Sequence, residues 1–230
     1  MTIAENVALV RRNMDEAAQK AGRDPKEILL LAATKMNDAD RVREAIRAGV
    51  DLCGENRVQE MLEKQAQGAY AGVPLHFIGH LQKNKVKQVV GLASLIHGVD
   101  SRELLETISR AAAARGLTQD VLLEVNIGGE SAKSGFAPEE VPEALARAAA
   151  LPALRVRGLM AIPPVCAAPE ENRPFFLRMQ QLFIDNSEKK YDNIRMDFLS
   201  MGMSGDYTEA IACGANLVRV GSGIFGPRQY

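Results

Sequence analysis

The residue best suited to covalent chemistry is Lys35, which closes an apolar run that begins at Ile28. An ammonium group held in apolar surroundings has a lowered pKa, because burial disfavours its charged form, and the neutral amine attacks carbonyl carbons. Lys35 is therefore a candidate Schiff-base lysine. A lysine that merely leaves a strand for solvent gives the same local pattern, so both interpretations stay open at this point.

Two segments near the C-terminus carry residues suited to binding an anion. Ser204–Asp206 comes directly before a helical pattern, where backbone N–H groups and a serine hydroxyl can face an anion. Arg219–Gly223 contains glycines that let the backbone approach a phosphate closely. We predict that the two segments form one phosphate-binding cup; a tight turn that closes the fold is the alternative.

The segment Gly221–Gly226 also matches the G-x-G-x-x-G pattern of dinucleotide-binding folds. That fingerprint needs a following helix and an acidic residue about 20 positions further on, whereas only four residues follow Gly226 in this sequence. We therefore interpret these glycines as part of the phosphate cup.

Polar side chains also end several other apolar runs, among them Glu55, Asn56, His80 and Asn126. If these runs are parallel strands, their carboxyl ends meet at one edge, and the side chains line a concave site. Asn56 would serve equally well as the N-cap of a following helix.

The three cysteines, Cys53, Cys166 and Cys213, are odd in number and widely spaced, with no Cys-x-x-Cys pair. A disulfide framework or a structural zinc site needs pairs or clusters of cysteines. We expect all three to be reduced and buried, which is typical of a cytoplasmic protein.

Histidine is equally sparse, and the chain contains His76, His80 and His97. His76 and His80 alternate along a predicted strand, so one face of that strand could hold both. A metal site would need further ligands, and few acidic residues lie nearby in the sequence. No metal site is expected.

Composition excludes several classes of function. The chain has 230 residues, is 47% hydrophobic and 25% charged, and carries 28 basic against 29 acidic side chains. These are the values of a globular protein, not of a disordered one. Without an excess of basic residues, nucleic acid is not the expected partner, and no apolar run approaches the roughly 18–20 residues of a membrane span.

Short apolar runs alternate with helix-patterned stretches along the chain. Such an order requires parallel strands and right-handed crossovers, and eight strand–helix units in about 200–250 residues fit a (β/α)8 barrel. We predict one α/β domain of this class over residues 1–230, with an open doubly wound sheet as the runner-up. The predicted strands are Ile28–Lys35, Val50–Cys53, Leu75–His80, Ser94–Val99, Val121–Ile127, Leu154–Ile162, Phe198–Met203 and Leu217–Gly221.

Taken together, segments spread over nearly the whole chain resemble the pyridoxal 5′-phosphate homeostasis proteins, the short relatives of the alanine racemase barrel. The resemblance implies a single (β/α)8 TIM barrel of the alanine racemase N-terminal type, with pyridoxal 5′-phosphate (PLP) as its cofactor. The matching segments are Ala33–Lys35, Gly54–Glu60, His76–Gln82, Asn84–Lys85, Val125–Ile127, Lys133–Gly135, Arg157–Ile162, Leu199–Ser204 and Val218–Gly226.

The resemblance also implies roles for single residues. Lys35 would hold the cofactor as an internal aldimine, and Ser204, Gly221 and Ser222 would bind its phosphate. Arg219 would face the pyridine nitrogen, where a cation opposes protonation and weakens the electron sink that carbanion chemistry uses.

Two further residues, Asn56 and His80, would line the cofactor ring. The function that the resemblance implies is a carrier or buffer of PLP in vitamin B6 homeostasis, without robust turnover. Its expected partners are PLP and apo forms of PLP-dependent enzymes, and a cytoplasmic monomer is expected.

An amino-acid racemase is the alternative function. Stereo-inversion needs acid–base groups on both faces of the bound substrate, and the racemase resemblance implies a tyrosine for the second face. No tyrosine of this chain ends a predicted strand; the four are Tyr70, Tyr191, Tyr207 and Tyr230. An unrelated phosphosugar enzyme ranks last, because it needs a carboxylate base, for which Glu55 and Glu124 are the nearby candidates.

Overall fold

Eight parallel strands, in chain order, form a closed barrel in this computed structural model, which describes residues 1–130, 132–188 and 191–227. The last strand pairs with the first, so the sheet has no free edge. The predicted (β/α)8 class is therefore confirmed, and the open doubly wound sheet is wrong.

Helices alternate with the strands around the outside of the barrel. The strands are Leu29–Ala33 (β1), Leu52–Glu55 (β2), Leu75–Phe77 (β3), Leu95–Val99 (β4), Gln119–Val125 (β5), Leu154–Ala161 (β6), Ile194–Met203 (β7) and Leu217–Val220 (β8). The α-helices are Ile3–Lys20 (α1), Ala39–Arg47 (α2), Val58–Ala66 (α3), Val86–Val89 (α4), Arg102–Ala113 (α5), Val141–Ala149 (α6), Arg173–Ser187 (α7), Tyr207–Ala212 (α8) and Ser222–Phe225 (α9).

All eight predicted strands overlap the observed ones, but β2 begins two residues later than predicted. Gly49, with φ of 98°, ends helix α2, and the Val50 N–H still donates to the Ala45 carbonyl within that helix end. The strand can begin only after this turn, so its carboxyl end falls at Glu55.

The core has two parts. A large apolar cluster fills the space between the barrel and its helices, where Val42, Ile108 and Val218 are fully buried. Two smaller clusters lie inside the barrel. One contains Leu31 and Leu217, which come from the paired first and last strands, and the other contains Leu95, Leu122 and Met160. Alternation along a strand therefore points Arg219 into the barrel together with Leu217.

Charged residues occupy the amino-terminal end of the barrel. The Arg157 guanidinium lies 2.6 Å from an Asp120 carboxylate oxygen and 2.5 Å from one of Asp197. The same guanidinium stacks 5.2 Å from the ring centre of Phe198. These contacts close that end and leave the carboxyl ends of the strands as the open face.

The cysteines differ from expectation at one position. None of the three is in a disulfide, but Cys166, in the loop after β6, is half-buried, so the expectation that all three are buried is wrong there. Its thiol lies 3.0 Å from Asn172 Oδ1 in the loop before α7, which holds it at the surface of the core. No helix within the described residues has the length and apolar character to cross a membrane.

Candidate functional site

The carboxyl ends of the strands surround a cavity of about 1080 Å³. Small-molecule sites typically have volumes of about 300–1,000 Å³, so this cavity accepts a ligand of cofactor size. All seven residues that the resemblance assigns to the cofactor line its wall: Lys35, Asn56, His80, Ser204, Arg219, Gly221 and Ser222.

Lys35 lies just beyond the end of β1, partly buried and on the cavity wall. Its backbone carbonyl accepts a hydrogen bond from Asn37 Nδ2 at 3.0 Å. The next residue, Met36, has φ of 61°, a left-handed conformation that costs a non-glycine residue about 1–3 kcal/mol. The chain therefore turns sharply, under strain, directly after the lysine.

A buried cluster of charged and polar groups lies behind Lys35. Oε1 of the fully buried Glu55 accepts hydrogen bonds from Thr34 Oγ1 at 2.6 Å, Lys64 Nζ at 2.7 Å and Tyr70 OH at 3.0 Å. We call these four residues the Glu55 cluster. Burial and the neighbouring Glu55 carboxylate raise the pKa of Tyr70, so its hydroxyl keeps its proton.

None of the residues of the Glu55 cluster lines the cavity. The interpretation of Glu55 as a candidate general base at a strand end is therefore wrong, because its carboxylate is committed to internal donors. The sequence did not indicate Lys64, which lies on α3 among exposed residues and carries no motif.

The two segments that the sequence predicts to bind a phosphate are hydrogen-bonded to each other in the structure. Ser204 Oγ accepts hydrogen bonds from the backbone N–H groups of Gly221 at 3.1 Å and Gly223 at 3.2 Å. The Asp206 carboxylate accepts from the Met203 N–H at 2.7 Å and fixes the loop that carries the serine. We keep the name phosphate cup for Ser204, Gly205, Gly221, Ser222 and Gly223.

The short helix α9, within this cup, was not predicted, because Gly221–Gly226 looks like a loop in the sequence. At Gly205, an added Cβ atom would meet nothing within 4 Å, and at Gly221 it would meet only Ala33 atoms at 3.5 Å. The backbone of Gly221 also does not require glycine, since its φ is −112°. The space above these two glycines belongs to the cavity, and a side chain there would fill it.

Arg219 lies between the cup and the barrel interior. Its guanidinium donates to Ser200 Oγ at 2.5 Å and to the Ala161 carbonyl at 3.0 Å, and it is buried. Burial lowers the pKa of Arg219 to about 10, while the Glu124 and Asp206 carboxylates act in the opposite direction. Arg219 therefore remains a cation at neutral pH.

Two buried histidines continue from Ser200 across the barrel. His97 Nδ1 lies 3.1 Å from Ser200 Oγ, and His97 Nε2 lies 2.9 Å from His76 Nδ1. We call Ser200, His97 and His76 the histidine chain. Because the Arg219 guanidinium can only donate, the Ser200 hydroxyl is free to donate to His97, and His97 in turn donates to His76.

Burial lowers the pKa of His76 to about 3 and that of His97 well below its ordinary value, to which His76 and Arg219 also contribute. Both imidazoles are thus neutral at pH 7, as this hydrogen-bond order requires. The prediction that one strand face holds His76 and His80 is wrong, because β3 ends at Phe77. Alternation from Leu95 along β4 could have indicated that His97 points inward.

A second polar group lies at the rim of the cavity. His80 Nδ1 lies 3.0 Å from Asp100 Oδ2, and the imidazole is 61% exposed. Burial and the neighbouring Asp100 raise the pKa of Glu124, a cavity residue on β5, although Arg219 and His80 act against this rise. Glu124 is thus a carboxyl group on the cavity wall that keeps its proton more readily than an exposed glutamate does.

Asn56 is on the cavity wall and is not a helix cap, since α3 has Arg57 at its N-cap position. The alternative interpretation of Asn56 is therefore wrong. Its Oδ1 atom is buried and has no hydrogen-bond partner among the described residues. Buried acceptors of this kind are rare unless something else supplies the donor, which is consistent with a ligand at this position.

The tyrosines lie away from the cavity wall. Tyr70 belongs to the Glu55 cluster, the Tyr207 hydroxyl accepts from Asn13 Nδ2 at 3.1 Å, and Tyr191 packs against the outer core. None of these three lines the cavity, and Tyr230 lies outside the described residues.

Comparison with known proteins agrees with this geometry. Residues 6–229 match the alanine racemase N-terminal domain family. The chain is 43% identical over 229 residues to a pyridoxal phosphate homeostasis protein of Pseudomonas aeruginosa, covering 100% of this chain and 97% of that protein. It is 40% identical over 230 residues to the pyridoxal phosphate homeostasis protein of Aquifex aeolicus, covering the whole of both.

This chain belongs to the pyridoxal phosphate homeostasis protein family. The resemblance noted in the sequence is therefore confirmed. The same fold is also seen in the solved structure of PipY from Synechococcus elongatus PCC7942 with PLP bound. That structure has a TM-score of 0.83 and 32% identity, and the match covers 98% of this chain and 100% of PipY.

Proposed function

We propose that this chain binds PLP through Lys35 and carries or buffers it in vitamin B6 homeostasis, without robust turnover. One observation carries the proposal: a single cavity has the Lys35 amine and the phosphate cup on its wall. β1 and β8, which carry them, are paired neighbours in the barrel, with Leu31 opposite Arg219. The PLP-bound structure of PipY supports the same ligand for a similar chain.

The residues of the cup fit a phosphate group. Ser204 Oγ already accepts two N–H groups, so its hydroxyl hydrogen is left to donate to a phosphate oxygen. The open space at Gly205 and Gly221 admits the phosphate close to the backbone. Ser222, at the first position of α9, adds a hydroxyl on the same wall.

The residues near the ring fit an aromatic heterocycle. When bound, PLP supplies an aldehyde that condenses with a primary amine, and a ring that can withdraw electrons. Arg219 offers the ring nitrogen only donors, which favours the unprotonated nitrogen. Asn56 Oδ1 and the exposed His80 supply polar contacts at the ring edge.

The same arrangement supports a carrier over a racemase. Arg219 keeps the ring a poor electron sink, and none of the described tyrosines reaches the cavity wall to serve as a second acid–base group. Common amino acids incubated with the PLP-loaded protein should therefore show no racemisation at metabolic rates by chiral chromatography. Robust turnover would overturn the carrier proposal in favour of the racemase.

Further parts of the proposal concern the cell. The absence of disulfides among the three cysteines supports a location in the reducing cytoplasm. We propose that the protein acts as a monomer and that apo forms of PLP-dependent enzymes receive the cofactor from it. Loss of PLP from this protein in step with activation of an added apo-enzyme would test the delivery.

The experiment that tests cofactor binding is borohydride reduction of the PLP-loaded protein, followed by peptide mapping. We expect a visible absorbance band, its loss on reduction, and one modified peptide carrying the cofactor on Lys35. Lys35→Ala should lose the band and the adduct without loss of the fold, because Lys35 is not a core residue. An adduct on a different lysine of the wild-type protein would contradict the assignment.

A further inference from the structure

Lys64 is a buried amine that the proposed function does not use. Its side chain is 8% exposed, and its Nζ atom lies 2.7 Å from Glu55 Oε1, 2.8 Å from the Thr34 carbonyl and 3.4 Å from Glu60 Oε2. Lys64 does not line the cavity, so it is not a second attachment point for a ligand there. Its contacts are instead made to the chain beside Lys35.

The peptide groups on both sides of Lys35 are held by side chains of α3. The Thr34 carbonyl belongs to the preceding peptide group and accepts from Lys64. The Met36 N–H belongs to the following peptide group and donates to Glu60 Oε2 at 2.7 Å. Two hydrogen bonds therefore fix the φ and ψ angles of Lys35 itself, and these angles set the direction of its side chain.

Stability alone does not account for this arrangement. Replacing a buried ion pair with apolar residues is often neutral or stabilising, because burying the two charges costs several kcal/mol. The Glu55 carboxylate also leaves Oε2 buried without a partner among the described residues. The left-handed Met36 adds strain at the same place. The local structure therefore holds one backbone conformation at Lys35 at a cost in folding stability.

We propose that Lys64 and Glu60 are positioning residues that fix the backbone of Lys35 and so aim its amine at the cofactor aldehyde. The inference rests on the proposed function and gives a positioning role in it to two residues that do not line the cavity. Glu55 supports this positioning, because its carboxylate holds the Lys64 amine in place to donate to the Thr34 carbonyl. The role is confined to the lysine, because neither side chain is within the phosphate cup.

Two ligands separate positioning from general structure. PLP needs both the cup and the Lys35 amine, whereas pyridoxamine 5′-phosphate has the same ring and phosphate but no aldehyde. We expect Lys64→Met to slow covalent attachment of PLP to Lys35 about tenfold or more, since small displacements of a reacting group cost large factors in rate. Affinity for pyridoxamine 5′-phosphate should stay within about twofold, because the cup is untouched.

Matched variants control for charge and for helix position. Lys20→Met removes an exposed lysine at the end of α1 and should leave both measurements unchanged. Glu60→Ala should slow attachment about three- to tenfold without leaving a buried charge unpaired, and Glu63→Ala, an exposed carboxylate on the same helix, should not. If Lys64→Met does not fold, Glu55→Gln combined with Lys64→Met removes both charges and tests the same contact.

The inference is overturned if attachment is as fast in Lys64→Met and Glu60→Ala as in wild type. It is equally overturned if attachment and pyridoxamine 5′-phosphate affinity fall together, which is the pattern of general structural damage. A wild-type protein that forms no Lys35 adduct would overturn the proposed function itself, and that result is distinct because it precedes any variant.

Discussion

The two ends of the cavity hold their ligand groups by different means. The lysine end depends on buried side chains: Thr34, Glu55 and Lys64 lie behind Lys35 and form charged hydrogen bonds away from solvent. The phosphate cup depends on the backbone: Ser204 Oγ accepts hydrogen bonds from the N–H groups of Gly221 and Gly223. A covalent bond must form at one atom, which requires a fixed direction, whereas a phosphate with several oxygens needs only donors nearby. Loss of one cup contact should therefore weaken binding by degrees, and displacement of the lysine should affect the rate of attachment.

The largest effect on ligand binding is expected in the cup. Ser204→Ala removes the acceptor of the Gly221 and Gly223 N–H groups and one donor to the phosphate, and should weaken PLP binding by about 1.5–3 kcal/mol, or roughly 10- to 150-fold. Pyridoxal, which lacks the phosphate, should be nearly indifferent to the change. Calorimetric titration of both ligands measures this, with the exposed Ser187→Ala as control. Equal losses for both ligands would contradict a phosphate-binding role.

The histidine chain beneath Arg219 predicts an acid-sensitive fold. His76 and His97 stay neutral in the folded protein, whereas in the unfolded chain they take up protons near pH 6.5, so acid favours unfolding. The loss between pH 7 and pH 5 should be about 2 kcal/mol for His76, and His97 should add a further loss in the same direction. Denaturant unfolding at several pH values measures it.

A double variant, His76→Gln with His97→Gln, should flatten this pH dependence. The control His80→Gln should leave the slope as it is in wild type, since the His80 side chain is 61% exposed. An unchanged slope in the double variant would show that other groups cause the acid sensitivity.

Gly221→Ala should separate the stability of the fold from ligand binding at the phosphate cup. The added methyl meets only Ala33 atoms at 3.5 Å, and the backbone already suits an L-residue, so the melting temperature should stay the same or rise slightly. The methyl enters the space left for the phosphate, and PLP affinity should fall about tenfold as a hydrogen bond to the anion is lost. A variant that binds PLP normally would place the phosphate elsewhere in the cavity.

The smallest effect is expected at Met36. Met36→Gly removes the cost of the left-handed conformation, at least about 1 kcal/mol, but adds about 0.5–1 kcal/mol of flexibility to the unfolded chain, so any loss of stability should be smaller than about 0.5 kcal/mol. Met203 is an exposed methionine at the end of β7, on the cup side, and serves as the comparison. Met203→Gly should destabilise the fold by about 1 kcal/mol, because glycine weakens a strand. A loss at Met36 as large as that at Met203 would indicate that no strain is stored beside the lysine.

The cup and Lys35 could be predicted from the sequence because Lys35 and both segments of the cup lie at the ends of strands, and the residues within each segment are contiguous. Parallel strands in a barrel bring such ends to one face, so the period of the apolar runs was enough to bring them together. The order of strands and helices fixed the fold class for the same reason. The resemblance to the pyridoxal 5′-phosphate homeostasis proteins then indicated PLP as the expected ligand.

The supporting residues could not be predicted in this way. Lys64 reaches the Thr34 carbonyl from a helix 30 positions away, and its neighbours in the sequence are exposed. His97 meets Ser200 across the barrel, a contact that depends on the register of strands far apart in the chain. Glu55 was a candidate general base because the sequence shows that it lies at the end of a strand. The sequence does not show that its carboxylate accepts hydrogen bonds from donors inside the protein.

The pairing of β1 with β8 also orders events during synthesis of the protein. At about 5–20 residues per second, roughly 10–40 s separate the emergence of β1 from that of β8. Through that interval the Lys35 segment sits on an unpaired strand edge, and the cup does not yet exist. A cofactor that touches both strands can bind only the closed ring, and by mass action it favours closure. A ligand that joins the first and last strands therefore stabilises the closed ring as well as occupying it.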